Sequence, residues 1–241
     1  RLSAIEDLGS ITVLCTDKTG TITQNLLTVK SLNGSNHHKL LESALAASGY
    51  QGSRSNEHPD SFDLALWHAA THEQKQKLSS EQTPIFRIPF DPERRMNSVL
   101  VRHGNLHELV VRGAPESVLT RCHLATSERA TIREQIHLAG SNGLRVITVA
   151  SKHFAKKFYS IKDESALTYR GFITFHDPLK PDTAKTIAKA KELGVAVTIL
   201  TGDAPEVAGS VARAIGLMKA NETVLTGNEF MELPEAEQLA S

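Results

Sequence analysis

Ile11-Thr12-Val13-Leu14-Cys15 is a short apolar run that stops at Thr16-Asp17, just before the glycine-containing turn Lys18-Thr19-Gly20-Thr21. A run of this kind fits a strand buried on both faces of a parallel sheet. Parallel strands need long crossovers, usually helical, so this one segment confines the fold to α/β architectures. The pattern returns further along the chain. Gly171 to Phe175 and Val195 to Leu200 read as strands, and Pro181 to Leu193 between them reads as a helix, with Ala184, Ile187 and Ala188 on one face and Gly194 at its stop. Pro205 opens a second helix that turns Val207, Ala208, Val211, Ala212 and Ile215 inward and ends at Gly216. In an open α/β sheet, chemistry sits at the carboxyl ends of strands. Asp17, Asp177 and Thr201-Gly202-Asp203 all fall there. Around Asp17, the backbone N–H groups near Gly20 and the hydroxyls of Thr19 and Thr21 form surroundings suited to an incoming phosphoryl group.

The strands ending at Asp17 and Leu200 should be neighbours in one sheet, yet about 180 residues separate them, far more than a crossover requires. A domain-sized insertion is therefore expected. The boundaries read as 1–32 and 169–241 for the parallel-sheet domain and 33–168 for the insertion. Within the insertion, helices are expected from about Lys39 to Ala47, Phe62 to Lys77 and Thr131 to Ala139. Strands are expected at Ile85 to Phe90, Ser98 to His103, Leu106 to Val111 and Leu144 to Ala150, the second and third joined by a tight turn at Gly104. That is an α+β arrangement on an antiparallel sheet, a different class from the flanking segments. His68 and His72 stand four apart on one expected helix, but with no third ligand nearby they read as ordinary surface histidines.

Phe90-Asp91-Pro92-Glu93-Arg94-Arg95-Met96-Asn97-Ser98 gathers an aromatic ring, two guanidinium groups and a hydroxyl. An aromatic face can stack on adenine, and arginines can pair with phosphate oxygens or with the base's edge. Lys plus Arg equals Asp plus Glu at 27 each, which argues against a broad basic face for nucleic acid. No apolar stretch nears the ~20 residues that span a bilayer, and the start at Arg1 lacks a signal-peptide pattern. Of the two cysteines, Cys15 lies in an expected buried strand and Cys122 is far from it, which favours a reducing compartment.

The string Asp17-Lys18-Thr19-Gly20-Thr21-Ile22-Thr23 resembles the phosphorylation motif of P-type cation-transporting ATPases, ion pumps of the haloacid-dehalogenase superfamily. The run from Gly171 to Pro178, with Lys180 close behind, and Thr201-Gly202-Asp203 resemble companion motifs in the same order. The resemblance implies a haloacid-dehalogenase-like phosphorylation domain with a parallel sheet, here incomplete, carrying an inserted nucleotide-binding domain. It implies that Asp17 attacks the γ-phosphate of ATP. Lys18 and Thr201 would neutralise or hydrogen-bond the phosphate, Thr19 would touch the transferring group, and Asp177 and Asp203 would tie nucleotide, Mg²⁺ and hinge together. Phosphatases of the superfamily usually carry an acid/base Asp where this chain has Thr19, and threonine cannot shuttle a proton at neutral pH. A long-lived acyl-phosphate, and so a pump rather than a soluble phosphatase with a large cap, is expected.

In the insertion, Phe90 with Arg95, the segment Arg112-Gly113-Ala114-Pro115-Glu116 and Gly143-Leu144-Arg145 resemble the family's nucleotide motifs. Asp63 matches the acidic residue that binds the adenine amino group. Arg112 replaces a customary lysine, exchanging a point charge for a planar fork. Mg²⁺ would bind Asp17 and the backbone carbonyl of Thr19, weakly, because the family's Gly-Asp-Gly-x-Asn-Asp motif is not in the chain. The expectation is therefore a cytoplasmic piece of a plasma-membrane pump whose ion-binding helices lie elsewhere. Its own autophosphorylation would be poor, so that binding of nucleotide without catalysis is the rival reading of the piece. The Phe90 segment and the Ala4 to Gly9 lead-in look most like magnesium- or calcium-type bacterial pumps, with magnesium favoured.

Overall fold

The structure is a computed structural model that describes residues 10–48, 50, 52, 59–80, 82–203 and 205–234. The Ala4 to Gly9 lead-in lies outside the described residues, as do residues 49, 51 and 53–58. The chain forms two compact units. The first comprises Arg1–Asn25, Ser141–Gly143 and Pro178–Ser241, and the second Leu26–Gly140 and Leu144–Asp177.

The first unit begins with β1 (Val13–Asp17) and the tight turn Lys18–Ile22, which Gly20 makes possible by adopting φ 76°. Its remaining elements, given below, come from the far end of the chain.

The second unit opens with β2 (Thr28–Asn33) and α1 (His37–Ser48), followed by α2 (Ser61–Ala69) and α3 (His72–Ser80). The meander β3 (Gln82–Asp91), β4 (Met96–His103) and β5 (Leu106–Gly113) comes next. Then come α4 (Pro115–Leu119), α5 (Thr126–Ser141), β6 (Arg145–His153) and β7 (Thr168–His176). The six strands form one antiparallel sheet in the order β2-β7-β6-β5-β4-β3. His103 pairs with Leu106, so the expected tight turn is a two-residue connection with Gly104 at φ 59°.

Period-two alternation divides the core between the sheet's faces. Val99, Val101, Val110, Ile147, Val149, Ile173 and Phe175 pack with α1, α2 and α3. Met96, Leu100, Leu109, Val111 and Ala150 pack with Val118, Cys122, Tyr159 and Leu167 on the other.

Three expectations change here. The single helix expected over Phe62 to Lys77 is two helices, because Ala70 is extended at φ −74°, ψ 139°. Thr71 and Gln74 then exchange backbone and side-chain hydrogen bonds, a capping box that starts α3 afresh. His68 and His72 consequently sit on different helices, and no group of three or more His, Cys, Asp or Glu able to hold a metal occurs among the described residues. Thr28–Asn33 was not expected to be a strand, yet it pairs with β7. That pairing draws β7 into the antiparallel sheet rather than the parallel one. The compact units accordingly divide at Asn25/Leu26 and Asp177/Pro178, not at 33 and 168.

The first unit resumes with α6 (Thr183–Glu192), β8 (Ala196–Leu200), α7 (Pro205–Ala214) and α8 (Gly227–Glu232). β1 and β8 pair in parallel, as the crossover argument required. Burial on both faces is not found. Val197 and Ile199 pack with Ile22, Ile187 and Ile215, but Val13 is 56% exposed and Leu200 61%. Cys15, expected inside, is exposed. The physical reason is that this sheet has two strands among the described residues and the cluster around Ile187 covers one side of it.

Candidate active and nucleotide sites

The parallel register pairs Asp17 with Leu200, so the carboxyl end of β1 and the Thr201-Gly202-Asp203 segment lie at the same end of the sheet. The Asp17 side chain is exposed there. Lys18 points the other way in burial, at 2% exposure, and forms an ion pair with the Asp203 carboxylate. A buried ammonium needs such a partner. Asp203 N–H donates to Thr201 Oγ1 at 3.2 Å, which folds the segment back toward the pair.

The turn after Asp17 is held from several directions. Thr23 N–H donates to Lys18 O at 3.0 Å, Gly20 N–H donates to Thr23 Oγ1 at 3.3 Å, and Lys180 Nζ donates to Gly20 O at 2.6 Å. Thr183 Oγ1 donates to Ile22 O at 3.0 Å. Lys180 thus serves the loop's backbone, a role its place after Pro178 did not reveal. Thr19 is half-buried and Gly202 exposed. Asp17 and the Thr19 carbonyl are two hard oxygen donors, a number compatible with Mg²⁺, which usually keeps several waters and substrate oxygens.

In the second unit, antiparallel connectivity collects residues distant in sequence. Phe90 lies at the end of β3, Arg95 just before β4, Arg112 and Gly113 at the end of β5, and Arg145 at the start of β6. Because neighbouring strands run in opposite directions, all five positions occupy one end of the sheet. Phe90 is 60% exposed, an unusual condition for a phenylalanine at a strand end and a suitable one for a stacking platform. Arg95 adopts φ 56° and pairs with Glu116, both side chains being largely exposed. Gly113 is dictated by packing: a Cβ there would lie 2.4 Å from Arg95 O.

Asp63 and Arg112 meet inside. Asp63 is the third residue of α2, where it completes a capping box with Asp60, and its Oδ1 accepts from Arg112 Nη2 at 2.7 Å. Arg112 also donates to Asn97 Oδ1 at 3.4 Å and Ala44 O at 3.5 Å. Burial pushes the Asp63 carboxyl above its ordinary value, and the Arg112 charge only partly pulls it back. Asn97, which anchors to Ala47 O at 2.7 Å, belongs to this cluster and was not singled out in the sequence. Asp177 accepts a hydrogen bond from Leu26 N–H at 3.2 Å.

This combination defines an acidic strand-end site in one unit and an aromatic and arginine-lined sheet end in the other. Residues 35–182 match the family described as P-type ATPase, cytoplasmic domain N, and the chain belongs to that family. It is 34% identical to the magnesium-transporting ATPase, P-type 1, of Escherichia coli K12, over 98% of this chain and 27% of the relative. Against calcium-transporting ATPase 1 of Bacillus cereus it is 26% identical over 98% of this chain and 30% of the relative. For calcium-transporting ATPase 1 of Lactococcus lactis the figures are 28%, 98% and 30%. The chain therefore spans under a third of the length of these relatives.

Proposed function

We propose that this chain is the ATP-binding and aspartyl-phosphorylation part of an ATP-driven cation pump, and that Asp17 carries the phosphoryl group. The observation that carries the reading is the exposed Asp17 carboxylate at the end of β1, level in register with the strand that leads into Thr201 and Asp203. A carboxylate so placed attacks the γ-phosphorus of ATP in line; the new Asp17 O–P bond forms as the bond to ADP breaks, giving an acyl-phosphate. Lys18 and Thr201 offset charge on the transferring group, and Thr19 hydrogen-bonds it. Asp17 and the Thr19 carbonyl would hold Mg²⁺, which would supply further charge neutralisation. With threonine at position 19, no side chain two residues on takes a proton from water, so the acyl-phosphate persists long enough to drive a conformational step.

Phe90 stacks on the adenine, Arg95 and Arg145 meet phosphate oxygens, and Arg112 with Asp63 forms the polar floor of the base site. Gly113 keeps the backbone close, and Asp177 and Asp203 link nucleotide and hinge. Phosphoryl transfer requires the unit holding ATP to present its γ-phosphate to Asp17. Among the described residues no helix is long and apolar enough to cross a membrane. The ion path is assigned to membrane helices elsewhere in a plasma-membrane pump, with this segment on the cytoplasmic side. The 34% identity to a magnesium transporter supports magnesium as the cargo. The test is phosphoenzyme formation from labelled ATP in the complete pump. Asp17→Asn is expected to abolish the acid-stable, hydroxylamine-sensitive phosphate, and its survival in that variant would overturn the assignment.

A further inference from the structure

Behind the exposed end of the sheet lies a buried polar cluster that the proposed chemistry does not use. Glu164, at 1% exposure, is reached from the opposite face of the sheet to Asp63 and Arg112. One of its carboxylate oxygens is paired with Arg94, and the other accepts from Ser98 Oγ at 2.5 Å. Ser98 Oγ in turn lies 2.7 Å from the Tyr159 hydroxyl. Arg121 Nε stands off at 3.9 Å. Nε and Nη1 of Arg94 are buried and find no hydrogen-bond partner among the described residues, so the guanidinium is held at Glu164.

Arg94 sits in the turn between β3 and β4, whose two flanks are Phe90 and Arg95. Local bonds shape that turn: Asp91 Oδ1 accepts from Glu93 N–H at 2.8 Å and from Arg94 N–H at 3.3 Å, and Asp91 O accepts from Arg95 N–H at 2.7 Å. They close the hairpin at the Asp91–Met96 pair, but none of them restrains the Arg94 side chain. Arg95 is left-handed at φ 56°, a conformation that a non-glycine residue keeps only when its surroundings enforce it. Its N–H donating to Asp91 O, Ala114 N–H donating to Arg95 O at 2.8 Å and its pairing with Glu116 hold Arg95 there, while the Arg94–Glu164 pair anchors the residue before it.

We propose that Glu164 is a positioning residue for nucleotide: by gripping Arg94 from inside, it fixes the turn so that Phe90 and Arg95 meet ATP in one orientation. This rests on the reading of Phe90 and Arg95 as nucleotide contacts. The pair's work is then orientation more than stability, because a buried ion pair replaced by apolar groups of similar volume is often neutral to folding.

The experiment compares the complete pump with Glu164→Gln, the double variant Arg94→Met/Glu164→Leu, and Phe90→Ala, measuring KM for ATP, kcat and melting. Both Glu164 variants are expected to raise KM about tenfold, equivalent to ~1.4 kcal/mol of binding, with kcat at saturating ATP unchanged. Should Glu164→Gln fail to fold because Arg94 is left buried and unpaired, the double variant decides. A double variant that melts like the parent yet keeps the raised KM supports the proposal. One that binds ATP as the parent does overturns it, as does one whose kcat falls in step with its melting temperature. If Phe90→Ala leaves KM unchanged, the nucleotide reading fails first and the proposal with it; if Phe90→Ala raises KM and the Glu164 variants do not, only the proposal fails.

Discussion

Replacing Arg112 by leucine isolates what the buried Asp63–Arg112 pair is worth. The substitution keeps much of the volume but removes the 2.7 Å hydrogen bond to Asp63 and the weaker ones to Asn97 and Ala44 O. Asp63 is 7% exposed, so its charge would be left inside without a counter-ion. Breaking a buried pair in this way costs about 3–5 kcal/mol. The carboxyl has an escape, which sets a ceiling: it can take up a proton. From its ordinary value of 3.8, that costs about 4 kcal/mol at pH 7 and about 1.6 kcal/mol at pH 5. The expected loss is therefore roughly 3–4 kcal/mol at pH 7, a fall in melting midpoint on the order of 10 °C, shrinking below about 2 kcal/mol at pH 5.

The sign follows from the raised value. An Asp63 that holds its proton more tightly folded than unfolded contributes stability that is full below the unfolded value and is lost as pH rises through the folded one. Urea denaturation of the parent chain and Arg112→Leu at both pH values measures this. A loss under about 1 kcal/mol at pH 7, or one equally large at pH 5, would refute the reasoning.

Glu108 behaves in the opposite sense. Burial alone would raise it, but hydrogen bonds from His103, Lys39 and Ser151 hold it far below its ordinary value near 4.5. Its stabilisation is present above that ordinary value and lost as pH falls below it, so Glu108→Gln should flatten the acid limb of a stability–pH curve; an unchanged limb refutes the assignment. Burial pushes the Cys122 thiol up to about 11, whereas Cys15 is exposed. An alkylating reagent near neutral pH should label Cys15 at once and Cys122 only on unfolding, and equal rates would contradict the burial.

Much of this was legible because local chemistry and fold agree. Asp17 and Thr201 punctuate apolar runs, so their strand ends were readable and the parallel pairing of β1 with β8 followed from it. Phe90, Arg112 and Arg145 were each readable as residue types, but their convergence depends on hydrogen-bonding order across β3 to β6, which no local pattern encodes. The break between α2 and α3 was written in Thr71-His72-Glu73-Gln74, a capping signature that the continuous helical periodicity around it masked. The exposure of Val13 and Cys15 was not legible, since hydropathy reports what a strand prefers to touch and not whether a layer is there to touch it. Glu164 escaped notice for a similar reason: an acidic residue in a polar stretch looks solvated until the fold brings Arg94, 70 residues away in the sequence, against it.

The pairing of β2 with β7 sets Thr28 beside His176, with Leu26 N–H bonded to the Asp177 side chain. The six-stranded piece thus starts and finishes on the same spot, like a loop of cord closed by a knot. Such a piece can be spliced into a host at the expense of a single small opening. Its own ends could be fused, and new ones cut at the Gly104 bend, without disturbing the order in which its strands are stitched together.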